Sequence, residues 1–178
     1  MAKRAYPLPK VYGLLEPGPV LLLTTSHDGH ANVMTLSWHT MMEFEPPLVG
    51  CVVSGRSFSF EALQATRQCV LNIPGVELKA AVVGCGNSSG RRVDKFKTFG
   101  LTTMPAELVE APLIADCYAN LECRVIDARL VNRYNFFVLE VIKAWIDPTC
   151  KDPRTLHHRG RGVFMVAGDS IKLPSKMR

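Results

Sequence analysis

No apolar stretch in the 178-residue chain approaches the ~20 residues of a membrane-spanning helix; the longest aliphatic run is Val20 to Leu23. The N-terminus, Met1-Ala-Lys-Arg-Ala-Tyr-Pro, carries charge but no following apolar segment closed by a small-residue cleavage site. No signal peptide is read there, so a cytoplasmic protein is expected. Charged residues are only 21% against 47% apolar, which excludes a disordered chain. The 13 Gly and 12 Pro show no period, which excludes collagen-like and low-complexity classes. Six cysteines, at 51, 69, 85, 117, 123 and 150, include no Cys-x-x-Cys pair. Cys51 and Cys69 lie inside apolar runs, where a thiol behaves as a small buried hydrophobe. Free structural thiols are expected, with no metal site. No Gly-x-Ser-x-Gly nucleophile elbow occurs, so hydrolase chemistry has no support.

Excess charge is absent from most of the chain. Residues 151–178 hold seven Lys/Arg and two Asp, which equals the whole net charge of +5. The first 150 residues balance. A nucleic-acid binder shows a basic face with interleaved aromatics or a recognisable module. Here the excess is one C-terminal stretch, read as a solvated tail or as a surface facing a small anion. No nucleic-acid partner is expected.

The remaining pattern is mostly strand-like. Strands are expected over Val20–Thr25, Ala31–Trp38, Leu48–Ser54, Cys69–Ile73, Leu121–Val131, Phe136–Ile146 and Gly162–Ala167. Asp28-Gly29 is a hairpin turn signal between the first two. Glu43–Pro47 reads as loop, because Pro46-Pro47 cannot continue a ladder. Helices are expected over Ser57–Gln68, with Ser57 as N-cap, and over Val76–Gly84, with one helical turn in Arg91–Phe99. Six or seven strands with so few helices point to a mainly β fold, a closed or partly closed barrel with short helices at its edges. One domain over 1–178 is expected, with residues 1–18 as an N-terminal arm and 174–178 as a tail.

Gly84-x-Gly86-x-x-x-Gly90 resembles a dinucleotide fingerprint only superficially: it follows a helix, whereas the fingerprint follows a strand and opens a helix. The glycines are read as turn residues, with a loop over Gly86–Gly90. Ser54-Gly-Arg-Ser-Phe-Ser59 joins a strand to a helix N-terminus. Such a junction suits a phosphate or serves as an ordinary capped turn with a surface Arg. Asn32, Thr35 and Ser37 place polar groups on a strand that ends at Trp38, a surface able to carry a planar heteroaromatic ligand or simply a wet barrel edge. Ser88–Phe96 gathers three cations and hydroxyls. His157-His158 lacks a nearby carboxylate or thiol at ligand spacing.

Taken in order, these segments resemble the flavin reductase-like, FMN-binding split-barrel family, and within it the flavoredoxin-like branch. The carriers are Asp28-Gly-His-Ala-Asn-Val-Met-Thr-Leu-Ser-Trp38, Pro46-Pro47, Ser54-Gly-Arg-Ser57, Val70-Leu-Asn-Ile-Pro74, Ser89-Gly-Arg-Arg-Val-Asp-Lys-Phe96, Gly100-Leu-Thr102, Leu121-Glu-Cys-Arg-Val125 and Phe137-Val-Leu-Glu-Val141. The resemblance runs from Val20 to Leu173. It implies a split β-barrel of Greek-key connectivity and a homodimer with one FMN per subunit at the interface. It implies that Asn32, Met34, Thr35, Ser37 and Trp38 line the isoalloxazine. It further implies that Ser54, Arg56, Ser57 and Ser59 receive the phosphate, that Lys95 sits by ring or phosphate, and that Phe164 closes over the site.

Arg133-Tyr-Asn-Phe136 departs from the family, whose members often carry a small turn with a histidine that is associated with the nicotinamide. The expected function is an FMN-dependent oxidoreductase, fed by NADH or NADPH and passing electrons to flavin or a redox partner. An FMN-binding electron carrier without NAD(P)H activity is the alternative to which the departure points. A haem-binding split barrel using His157 or His158 is a further one.

Overall fold

The computed structural model describes residues 3–11, 15 and 18–174. The rest of the expected arm and tail, including Lys176 and Arg178, lies outside the described residues.

The elements follow from local chemistry. Strand Leu21–His27 (β2), apolar over Leu21–Leu23 and buried on both faces as far as Thr25, turns into His30–Leu36 (β3) through Asp28 and Gly29. Both turn residues have positive φ, 50° and 75°, as a two-residue turn matching strand twist requires. His39–Phe44 (β4) and Pro47–Val52 (β5) form the next hairpin. This corrects the loop expected over Glu43–Pro47. Pro47 is tolerated because it is the first residue of its strand, and β4 escaped notice because Met41-Met42-Glu43-Phe44 does not alternate. The second expected strand also stops at Leu36 rather than Trp38.

Helix α1 (Phe58–Thr66) starts where Ser57 Oγ accepts the Ser59 N–H, and it ends at Arg67 with φ 56°. Gln68–Ile73 (β6) follows. A 3₁₀ turn over Val76–Leu78 leads into α2 (Lys79–Asn87), so Gly84 and Gly86 are helical rather than turn residues. Gly84 is small because a Cβ there would stand 2.3 Å from the Phe99 ring, whereas one at Gly86 would make only ordinary contact with Thr35. Helix α3 (Lys95–Phe99) is capped by Asp94, which accepts the Lys97 N–H, and stops at Gly100, φ 64°. Short strands Thr103–Met104 (β7) and Leu113–Ile114 (β8) pair with each other. Ala119–Asp127 (β9) and Phe136–Ile146 (β10) are the longest strands. Between them Val131–Tyr134 (α4) is helical, which shortens the strand expected to reach Val131. Arg4–Ala5 (β1), from the expected arm, pairs with β10.

The main sheet is antiparallel, in the order β3-β2-β6-β9-β10-β5-β4, with β1 attached to β10. Its outermost strands, β3 and β4, are consecutive in sequence and joined only by Ser37 and Trp38. In a flat sheet, six strand spacings of ~4.8 Å would separate them by about 29 Å. Three Cα–Cα steps span at most about 11 Å. The sheet must therefore curl until its edges meet without pairing: a split barrel. The Greek-key return is β6, which comes back through α1 to lie beside β2. A second tie closes the same end, where His39 Nε2 donates to the Pro19 carbonyl at 2.7 Å.

The barrel interior is filled by Leu21, Leu23, Val49, Leu71, Leu121, Phe137 and Leu139, together with free thiols Cys51, Cys69 and Cys123. Outside, α2 covers β2 and β3 through Val82 and Cys85. Leu156–His158 (β11) and Phe164–Val166 (β12) form a separate hairpin on this outer layer, tied by the Val20 N–H to Leu156 O. The last strand is thus no part of the barrel sheet, contrary to expectation. Two buried polar clusters fasten the 103–118 excursion. Asn72 Oδ1 accepts the Ile114 N–H and the Asn120 amide. Glu122, with 0% of its surface exposed, accepts from the backbone of Glu107 and Leu108 and from the Trp145 indole. Among the described residues no helix is long and apolar enough to cross a membrane.

Burial holds the His39 imidazole below its usual pKa, the Pro19 bond opposing only in part. The folded state then binds fewer protons than the unfolded one between the folded pKa and ~6.5, so stability is lost as pH falls through that window. Urea denaturation at pH 7 and pH 5.5 is expected to show a smaller acid-side loss in His39→Gln than in the native protein. Equal losses would mean that His39 titrates as freely as in the unfolded chain.

Candidate functional site

The split is where functional side chains gather. Three cavities meet at Thr35, whose hydroxyl donates to Val82 O at 2.5 Å and pins α2 to β3. The first, of about 190 Å³, lies between β3, the β5–α1 junction and the 85–95 segment. Asn32, Met34, Thr35, Arg56, Ser57 and Lys95 line it, joined by Phe58, Cys85, Ser88, Ser89 and Gly90. The second, about 460 Å³, opens at the β3–β4 link and is lined by Met34, Thr35, Ser37, Trp38, Ser54 and Asn135. The third, about 300 Å³, lies under the β11–β12 hairpin, with Thr35, Ser37 and Phe164 among its walls. Every residue expected at the site except Ser59 lines at least one of these spaces.

Ser59 is turned inward. On α1 it shares the inner face with Ala62 and Leu63, and its Oγ accepts the Asn32 amide at 2.8 Å. It therefore orients Asn32, and Asn32 faces the cavity. Ser57 Oγ both caps α1 and points at Met34 Sδ, 3.2 Å away.

The buried charge in the first cavity comes from Lys95. It is only 5% exposed, at the first position of the α3 turn that Asp94 caps. Its Nζ donates to Val33 O at 2.9 Å and Cys85 O at 2.8 Å. Those carbonyls occupy two of its three N–H groups and fix the amine at the cavity wall. Burial pushes its pKa down from the usual lysine value. The neighbouring Cys85 thiol is pushed up to about 11 by desolvation, the Lys95 charge opposing. Across the opening, Arg56 extends into solvent beside the α1 N-terminus, where the helix dipole adds positive potential. Arg91 lies over the Phe58 ring, 4.9 Å from its centre, and pairs with Glu61.

This set fits an anionic group with an attached planar ring. Two cations and the hydroxyls of Ser57, Ser88 and Ser89 converge on one small space. Gly90 leaves room there because a Cβ would stand 2.1 Å from Asn32 Oδ1. The adjoining space has the flat, mixed surface of Met34, Thr35 and Ser37, with Trp38 70% exposed at its rim. The combined space suits a cofactor-sized ligand.

Three contributors escaped the sequence reading. Ser88 and Ser89 were visible only as a polar loop, and Asn135 only as part of an atypical turn. Asn135 takes a left-handed conformation, φ 55°, its carbonyl accepting the Val53 N–H. Asn tolerates that conformation, which was the available signal. The adjacent histidines diverge: His157 Nε2 lies 2.9 Å from Thr155 Oγ1, whereas His158 lines the third cavity.

Comparison with known proteins matches residues 14–165 to the flavin reductase like domain family. The Escherichia coli (strain K12) protein YddH is 30% identical over 172 residues, 89% of this chain and 91% of its own length. The crystal structure of an FMN-binding domain of a flavin reductases-like enzyme from Shewanella baltica OS155 superposes with a TM-score of 0.92 at 26% identity, over 97% of this chain and 98% of that one. Flavoredoxin from Methanosarcina acetivorans superposes with a TM-score of 0.75 at 29% identity, over 89% of each chain.

Gly90→Ala is expected to drive Asn32 off Ser59, at a cost of about 1–3 kcal/mol for overpacking. Urea denaturation measures this; an unchanged midpoint would mean that Asn32 has slack to move.

Proposed function

The chain belongs to the flavin reductase-like domain family, and from that membership we propose that it is an FMN-dependent oxidoreductase holding the cofactor in the cleft around Thr35. The observation that carries the reading is the convergence of Arg56, Ser57, Ser89 and the buried Lys95 on one cavity that adjoins a flat strand surface. When bound, FMN supplies the chemistry of accepting and releasing electrons; the protein binds, orients and tunes it. Arg56 and the serines hold the phosphate, and a guanidinium fork matches phosphate oxygens. Met34, Thr35 and Ser37 carry the ring, with Trp38 at its rim and Phe164 on the far wall. Lys95 holds positive charge against the bound group and favours its reduced, anionic form. Ser54 and Ser59 support this frame, Ser59 through Asn32. The reading includes one such domain per subunit, a homodimer, and a cytoplasmic setting. The exposed Trp38 at the split favours a second subunit over it.

NADH or NADPH is the proposed donor. The second reading, an electron carrier served by a redox protein, is favoured by Asn135, which lines the cleft beside Trp38 and offers an amide in place of a titratable ring.

Two measurements test these readings. Arg56→Ala is expected to weaken FMN binding tenfold to a hundredfold, about the worth of a charge-assisted hydrogen bond, while riboflavin affinity stays near its original value. Equal losses for both ligands would remove Arg56 from the phosphate. Anaerobic NADH or NADPH should bleach the visible band of the FMN-loaded protein within a turnover time. A persistent yellow colour under both, with bleaching by dithionite, selects the electron carrier.

A further inference from the structure

The third cavity is unlike the other two. It holds about 300 Å³ and is walled by Val82, Val83 and Phe164. Around this apolar slot stand three polar side chains from three separate elements: Ser37 from the β3–β4 link, Asn87 from the end of α2 and His158 from the end of β11. Among the described residues none of these three side chains has a hydrogen-bond or ion-pair partner; the His158 ring packs against Phe164, 5.1 Å between centres. An apolar slot with a few unspent, convergent polar groups is the usual form of a small-molecule site. No side chain with a fixed charge lines it, so a carboxylate or phosphate would enter without a counter-charge. The volume suits one or two rings and excludes a whole dinucleotide. It shares Thr35 and Gly86 with the first cavity and Ser37 with the second, so its occupant lies next to whatever they hold.

We propose that this cavity is the electron-acceptor site for a small uncharged quinone, with Ser37, Asn87 and His158 donating to its carbonyl oxygens and His158 supplying a proton. The proposal rests on FMN occupying the adjoining cleft. A quinone gains two electrons and one proton, as hydride, from the reduced flavin. It takes its second proton from the His158 imidazolium, which is restored from solvent because the side chain is exposed. Two O–H bonds form, the quinone becomes a hydroquinone, and the flavin is left oxidised.

The probe is duroquinone, whose ring carbons are all substituted, so it does not add to thiols. Calorimetric titration into the FMN-loaded protein and into the FMN-free chain is expected to show one saturable site in each. Val83→Trp, which fills the slot, should abolish that site. His158→Gln keeps a donor but cannot deliver a proton. It should retain duroquinone binding within a few-fold and FMN affinity unchanged. It should slow stopped-flow reoxidation of the reduced flavin by duroquinone tenfold or more, the lower range of general-acid effects. Saturable binding that survives Val83→Trp, or no binding in either form, overturns the proposal. A reoxidation rate unchanged in His158→Gln removes the proton role. Failure to take up FMN would defeat the cofactor reading alone, because the titration of the FMN-free chain still reads the cavity.

Discussion

A link of two residues governs this molecule. Ser37 and Trp38 join strands that stand at opposite edges of a seven-strand order, and a chain that short cannot cross a flat sheet. Closure of the barrel, the gap left along it and the position of the cleft around Thr35 all follow from that link. β3 and β4 do not pair along the gap, and the link and the His39–Pro19 bond fasten one end of it. What enters the gap is therefore a matter of side chains and not of backbone ladders.

The polar groups that the barrel buries are nearly all spoken for, and the manner of their satisfaction separates scaffold from site. Glu122 is surrounded by donors that come from the protein itself, two backbone amides and an indole, and so has nothing left to offer a ligand. Asn72 is likewise spent on the strand ends it holds, and Asn120 commits its amide N–H groups to Asn72 and the Ile114 carbonyl while its Oδ1 stays unpartnered. Lys95 is different. Two carbonyls hold its amine in place and leave its remaining hydrogen at a cavity wall, so the cost of desolvating a cation is incurred where an anion can offset it.

Much of this was legible in the sequence because it is local. The Asp28-Gly29 turn, the Ser57 cap and the eleven residues of β10 are written in residue types that favour one backbone conformation. The strand residues of the cleft were legible too, since Asn32, Thr35 and Ser37 break an apolar pattern where polarity is costly, while Met34 came from the family resemblance. What was hidden depended on partners distant in sequence. β4 has no clean alternation and is a strand because β5 pairs with it. The helix α2 keeps a glycine at 84 because the Phe99 ring presses against it. Ser59 reads as a phosphate-facing hydroxyl until the phase of α1 turns it toward Asn32. The final hairpin looked like barrel because its residues are strand formers, whereas its apolar side seats on α2's layer.

The two tryptophans of the chain stand in opposite surroundings. Trp38 is 70% exposed at the rim of the cleft, and the Trp145 indole donates to the buried Glu122 at 2.7 Å. Ultraviolet emission from the molecule is thereby divided by place. The red-edge component comes from the water-bathed indole at the cleft. The component shaped by a fixed carboxylate comes from the wall of the barrel. An optical change confined to the first records events at the opening, and one that appears in both records the loosening of the whole.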